Sequence, residues 1–258
     1  MKYFLDTEFL EGKQDKRFLG IKYGETKPTI DLISIGIVSE DSREYYAISK
    51  DFNLKEAWCR YDEKVNKDYK ISFGGGLDGH YNPKFIREYW IRDNVLKPIW
   101  EELRNKPNAK RIDFDGNSRD NYFSYNSLKY LIKKYGKTNK QIAKEIKHFV
   151  ANRPIENNKE QWILDYDTKD VQFYGYYADY DWVVFCWLFG KMIDLPKGFP
   201  MYCKDLKQML DEKEMARQDG TDMTELRNLP TYPKQENEHN ALDDARWNKA
   251  LHEFLQKL

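Results

Sequence analysis

Apolar and polar positions change period several times along this chain, and the changes divide it into elements. YFLDTEF (3–9) is rich in strand formers, TIDLISIGIV (29–38) is a nearly continuous β-branched run suited to a central buried strand, and REYYAISK (43–50) alternates. The joins between them read as turns: a charged, glycine-containing loop at 11–28 and the short EDS at 40–42. Three consecutive strands joined as antiparallel hairpins are therefore predicted.

Residues 51–125 lack a continuous period. GGG at 74–76, Asn82–Pro83 and the polar NKPNAK run interrupt it, and the reading there is helices near 53–64 and 86–104 within an irregular insertion at about 56–125. Helical spacing returns with Ile142, Ile146, Phe149 and Val150 behind a Thr138 cap. VQFYGYY (171–177) reads as an aromatic strand and WVVFCWLFG (182–190) as a helix apolar all round. MYCKDLKQML from 201 reads as a strand-to-helix unit, 218–238 as a polar loop, and 240–257 as a last helix. No internal repeat or low-complexity tract is visible. The order predicts one α/β domain over 1–258, with a mixed sheet of about five strands flanked by helices.

Composition narrows the class. The chain is 40% hydrophobic and 16% aromatic, unlike a disordered chain, and 33% charged, unlike a membrane-embedded one. Forty-three basic residues balance 43 acidic ones, so any surface for a polyanion must be local. No run approaches the roughly 20 apolar residues that cross a bilayer, and Asp6 and Glu8 stand where a signal peptide needs its apolar stretch. Cys59, Cys186 and Cys203 are odd in number and form neither a zinc pattern nor a redox pair. The expectation is a cytoplasmic protein with reduced thiols and no membrane partner.

Candidate chemistry lies in three segments. Asp6 and Glu8, two apart on a strand, share a face within about 7 Å and need a basic side chain or a divalent cation between them. The DxD spacing recurs as Asp113/Asp115, Asp165/Asp167 and Asp179/Asp181, so a solvated strand end is the competing reading. In YYADYDW (176–182) either Asp179 or Asp181 could simply cap the helix behind it. In the last helix Asp244 falls on the apolar stripe of Trp247, Leu251, Phe254, Leu255 and Leu258, where a carboxylate needs a partner. Its neighbour Asp243 suits a capping box opened by Asn240. His239 precedes this helix on a loop, five residues before Asp244.

Taken in order, DTEF, YADYDW and HNALDDA resemble the motifs of the DEDDh exonucleases of the ribonuclease H-like superfamily. The surrounding runs, YFLDTEF, IDLISIGIV, YADYDWVVFCWLFG and HNALDDAR, are similar to an actinobacterial group of polyadenylate-specific 3'-exoribonucleases, over roughly 1–55 and 170–258. The resemblance implies a ribonuclease H-like fold and a 3'-5' exonuclease acting on single-stranded RNA to release nucleoside 5'-monophosphates. It selects Asp181 over Asp179 and Asp244 over Asp243. With Asp6 and Glu8 these acids would hold two ions, Mg²⁺ or Mn²⁺, and His239 would be the general base. Phe9 and Asn240 become candidates for contact with the terminal nucleotide, although Phe9 on a regular strand would point away from Glu8. A homodimer is implied by the resemblance alone. Alternatives on the same fold are a DNA exonuclease and a silent nucleic-acid-binding module. Lys129, Lys133, Lys134, Lys137, Lys140, Lys144 and Lys147 read first as a solvated helix face and second as a phosphate track, and Phe173, Tyr174, Tyr176, Tyr177 and Tyr180 as core before base-stacking platforms.

Overall fold

A computed structural model describes residues 1–66, 84–107, 109, 122–151, 171–218 and 225–258. The chain divides into two compact units: Met1–Phe52 with Lys129–Leu258, and Asn53–Leu128 between them in sequence. Asp113/Asp115 and Asp165/Asp167 lie outside the described residues, as do GGG at 74–76 and Asn82–Pro83.

The first unit is built on a five-stranded mixed sheet. Its strands are β1 (Lys2–Gly12), β4 (Thr29–Ser39), β5 (Glu44–Ile48), β8 (Gln172–Gly175) and β9 (Lys204–Asp205), in the order β5-β4-β1-β8-β9. β1 runs antiparallel to β4 and parallel to β8, so β1 is the centre at which the hairpin half meets the crossover half. Alternation along β1 explains why it is buried on both faces. Tyr3 and Leu5 enter one cluster with Ile35, Ile37, Phe173 and Phe185, while Phe4 enters another with Tyr174, Leu210, Leu251 and Leu255. The first cluster is covered by α4 (Asn139–Ala151) and α5 (Asp179–Phe189), the second by α6 (Leu206–Gln218) and α7 (Ala241–Leu255). The result is an α/β/α sandwich.

The expected helix behind Thr138 is α4. Gln141 N donates to Thr138 Oγ1 at 3.2 Å while Thr138 N donates to Gln141 Oε1 at 2.8 Å, a reciprocal cap. Ile142, Ile146 and Val150 are buried; Lys133 and Lys134 at the end of α3 (Tyr125–Tyr135) and Lys140 and Lys144 on α4 face solvent. The join at 11–28 departs from the reading as a plain loop. It contains β2 (Asp15–Phe18) and β3 (Ile21–Glu25), a hairpin turning at Leu19–Gly20, both with positive φ. Its strands alternate too weakly to be read, because every residue from Lys16 to Lys22 is exposed.

The second unit corrects two helix boundaries. The helix read at 53–64 is only α1 (Leu54–Cys59), capped by Asn53, and then β6 (Asp62–Val65) pairs antiparallel with β7 (Phe85–Glu88). The helix read at 86–104 begins instead with β7, passes through a π-helical turn (Arg92–Leu96) and continues as α2 (Lys97–Arg104). DEKV and FIRE carry charges where alternation would show, and the Arg87 guanidinium of β7 lies 4.4 Å from the ring of Tyr61, the residue before β6. Val95, Leu96, Ile99, Trp100 and Leu103 supply the buried face, with the Trp100 indole donating to Ser127 at 2.7 Å.

Candidate active site

Three local structures meet at the C-terminal end of the parallel pair formed by β1 and β8. β1 brings Asp6 and Glu8, facing α7; Thr7 faces the other way, toward α5. Opposite Asp6 on β4 is Gly36. A Cβ there would lie 2.2 Å from the carbonyl oxygen of Ala241 and 2.5 Å from Leu242 Cα, so glycine is what lets the first turn of α7 rest on the sheet beside Asp6. The α7 N-terminus is closed by Asn240, whose Oδ1 accepts from Leu242 N at 3.0 Å and Asp243 N at 3.3 Å. Asp244, in that turn, points inward and is 6% exposed, while Asp243 pairs with Arg246 at 2.5 Å.

The third structure is the first turn of α5. Tyr177 adopts a left-handed φ of 54° just before it, and Asp205 Oδ2 accepts from Ala178 N at 2.9 Å. Asp179 faces solvent and Asp181 is buried. Asp181 Oδ1 accepts from both Thr7 N at 2.8 Å and Thr7 Oγ1 at 2.6 Å, tying the helix to β1 between the two acids.

The outcome is an open cavity of about 350 Å³ lined by Asp6, Glu8, Asp181, His239 and Asp244. One ligand oxygen each from Asp6, Glu8 and Asp244 lies within 4.8 Å of the others. Such a gathering without a cation is electrostatically unfavourable, and the carboxyls respond. Burial, then repulsion from Asp181, Glu8 and Asp244, holds Asp6 well above the ordinary range. Burial, then Asp244 and Asp181, pushes Glu8 to about 8. Burial also raises Asp181 and Asp244, against the opposing pull of the Thr7 bonds on the first and of Gln235 and the His239 backbone on the second. An all-oxygen set of this kind is suited to hard divalent cations such as Mg²⁺ or Mn²⁺.

His239 stands half-buried at the cavity with φ 69°. Its backbone N–H donates to Asp244 Oδ2 at 2.9 Å, so the carboxylate that faces the acids also fixes the loop that presents the imidazole. Gln235 Nε2 donates to the other oxygen, Oδ1, at 2.6 Å.

Phe9 lines the same cavity and also packs against the α4/α5 cluster. The β1–β4 register shifts between Glu8 and Phe9, and the Phe9 ring meets Tyr180 edge-on at 5.8 Å. Of the aromatic candidates, Phe173 and Tyr174 are core, whereas Tyr176, Tyr177 and Tyr180 border the cavity, the last two exposed. Asn240 is absent from the cavity lining; its side chain is occupied as the helix cap. Thr7, Gln235 and Asn248 also line the cavity, as does Trp247, which the sequence places only on the apolar stripe of the last helix. Asn248 had a legible signal, since it lies four residues after Asp244 on the same helix face.

Two comparisons bear on this geometry. Two curated proteins from Mycobacterium tuberculosis, the 3'-5' exoribonuclease MT2234.1 of strain CDC 1551 / Oshkosh and the 3'-5' exoribonuclease Rv2179c of strain H37Rv, are each 24% identical over 246 residues, spanning 95% of this chain and 88% of theirs. The model of the 3'-5' exoribonuclease Rv2179c-like domain matches residues 124–256, a little over half of the chain, which include Asp181, His239 and Asp244. The chain belongs to the Rv2179c-like 3'-5' exoribonuclease family.

Proposed function

We propose that the chain is a divalent-metal-dependent 3'-5' exoribonuclease of DEDDh type on a ribonuclease H-like fold, releasing nucleoside 5'-monophosphates from single-stranded RNA. The observation that carries the reading is the convergence of Asp6, Glu8 and Asp244, with Asp181 and His239, on one open cavity. Residues 56–125 are an insertion into this single exonuclease domain.

The four acids would hold two ions, Mg²⁺ or Mn²⁺, and the raised carboxyls fit that role because a cation relieves the repulsion that raises them. Bound ions supply charge neutralisation and Lewis acidity for an in-line displacement at the terminal phosphodiester. The protein's own groups do the rest. Thr7 keeps Asp181 ionised and aimed, and Gln235 does the same for Asp244. His239 accepts the proton of the attacking water, and its loop is held by Asp244. Tyr177 and Tyr180 stand exposed at the cavity edge, where the terminal base can stack.

Digestion of end-labelled single-stranded RNA and DNA with Mn²⁺ or with EDTA tests the reading. Stepwise shortening of the RNA from the 3' end with Mn²⁺, and none with EDTA, is expected. Activity undiminished by EDTA would refute it.

A further inference from the structure

Asn248 stands apart from the other polar groups of the cavity. It lies on α7 one helical turn after Asp244, is 1% exposed and lines the cavity. Its Nδ2 donates to the carbonyl oxygen of Leu5, the residue before Asp6, at 2.9 Å. That bond fixes the amide: with one Nδ2 hydrogen committed to the β1 backbone, the other side of the amide is identified as the acceptor, Oδ1. Oδ1 is buried and has no hydrogen-bond partner among the described residues. A buried acceptor left unpaired is unfavourable, and in native proteins such groups are few and find a donor in an ordered water, or in a ligand where they border a site.

The chemistry of this oxygen limits what it takes. It accepts and does not donate, so it repels phosphate oxygens and calls for an O–H or N–H. The carboxylates of Asp6, Glu8 and Asp244, which line the same cavity, offer no donor when ionised. At the 3' end of an RNA chain the O–H groups nearest the last phosphodiester are the hydroxyls of the terminal ribose. We propose that Asn248 Oδ1 accepts a hydrogen bond from a hydroxyl of the 3'-terminal ribose, making Asn248 a sugar-selecting residue. The inference rests on reading this cavity as the exonuclease centre. The same side chain then links sugar recognition to the β1 backbone next to Asp6. A site built to bind a hydroxyl discriminates against a substrate lacking it, because its own buried group is left unpaired.

The test crosses protein and substrate changes. Oligoribonucleotides ending in a normal ribose, a 2'-deoxyribose or a 3'-deoxyribose are digested with Mn²⁺ by the wild-type protein and by Asn248→Ser, and removal of the last nucleotide is timed. The wild type is expected to be slower by about tenfold on one of the two deoxy ends. Asn248→Ser also gives up the bond to Leu5 O, a loss common to all three ends, so it is expected to lose about tenfold more on the normal end than on the deoxy end that the wild type disfavours. That deoxy end identifies the hydroxyl. Equal loss on all three ends would overturn the proposal, since a structural role or a role toward the ions does not depend on the sugar. Wild-type rates equal on all three ends would overturn it without any variant, whether or not Asn248→Ser folds. Asp244→Asn run in parallel separates the two readings: full activity in that variant removes the exonuclease centre from this cavity, whereas its loss together with sugar-independent behaviour of Asn248→Ser removes this proposal alone.

Discussion

Replacing Gly36 by alanine tests how α7 is seated, and through it the spacing of the acids. The added Cβ would stand 2.2 Å from Ala241 O, 2.4 Å from Ala241 C and 2.5 Å from Leu242 Cα, all backbone atoms that no rotamer change can move. Ordinary contact begins at 3.4 Å, so β4 and the first turn of α7 must separate by more than about 1 Å. Overpacking of this kind typically destabilises by about 1–3 kcal/mol, which for a domain of this size lowers Tm by roughly 2–12 °C. The functional loss should be larger. The displaced turn carries Asp244 and the His239 loop, and a misplacement of about 1 Å can slow a reaction by about 10²-fold. Thermal denaturation and timed digestion of single-stranded RNA on the same preparation measure both. Gly24→Ala is the control, because nothing lies within 4 Å of its Cβ and it sits on the exposed hairpin. Wild-type Tm and wild-type turnover in Gly36→Ala would refute the argument that this contact spaces the site.

The remaining expectations follow the same geometry. Thr7→Val removes the 2.6 Å bond to Asp181 and keeps the backbone one, so the carboxyl rises further and Mn²⁺ affinity by calorimetry should fall by about 10- to 100-fold; unchanged affinity would exclude Asp181 from the ion site. Glu8 is raised from 4.5 to about 8 in the fold. The unfolded chain therefore holds fewer protons between these values, and the ion-free protein loses up to about 5 kcal/mol of stability as pH rises from 4.5 past 8. Denaturation in EDTA should show that loss in the wild type and much less of it in Glu8→Gln; equal slopes in both would contradict the assignment. His239→Ala should slow hydrolysis by about 10²–10⁴-fold with Mn²⁺ binding retained, and near-normal turnover would exclude it as the general base.

Much of this site was readable before folding because local chemistry carried it. Two carboxylates two apart on a strand must share a face, and an aspartate on an apolar helical stripe must point inward; both hold for Asp6, Glu8 and Asp244. Asn240 as the cap was equally local, resting on a bond to Asp243 N three residues on. The rest of the site depends on contacts distant in sequence. Gly36 has no side chain to signal that the Ala241 carbonyl rests on it, 205 positions away. Gln235 lies in a polar loop, and only the fold brings it to Asp244. Thr7 faces away from its neighbours Asp6 and Glu8, so its bond to Asp181 requires α5 to be in place. The β6–β7 hairpin is illegible for another reason: its exposed, charged strands lack the apolar alternation that marks a strand.

The central claim is that Asp6, Glu8, Asp181 and Asp244 jointly hold the ions that make this cavity catalytic. Anomalous scattering from Mn²⁺ in crystals of the protein with a nucleoside 5'-monophosphate tests it directly. The account predicts two Mn²⁺ peaks in the cavity, about 3.5–4 Å apart, with carboxylate oxygens of these four residues at about 2–2.6 Å. Mn²⁺ bound only elsewhere, or a cavity in which the nucleotide sits with the four carboxyls free of metal, would contradict it.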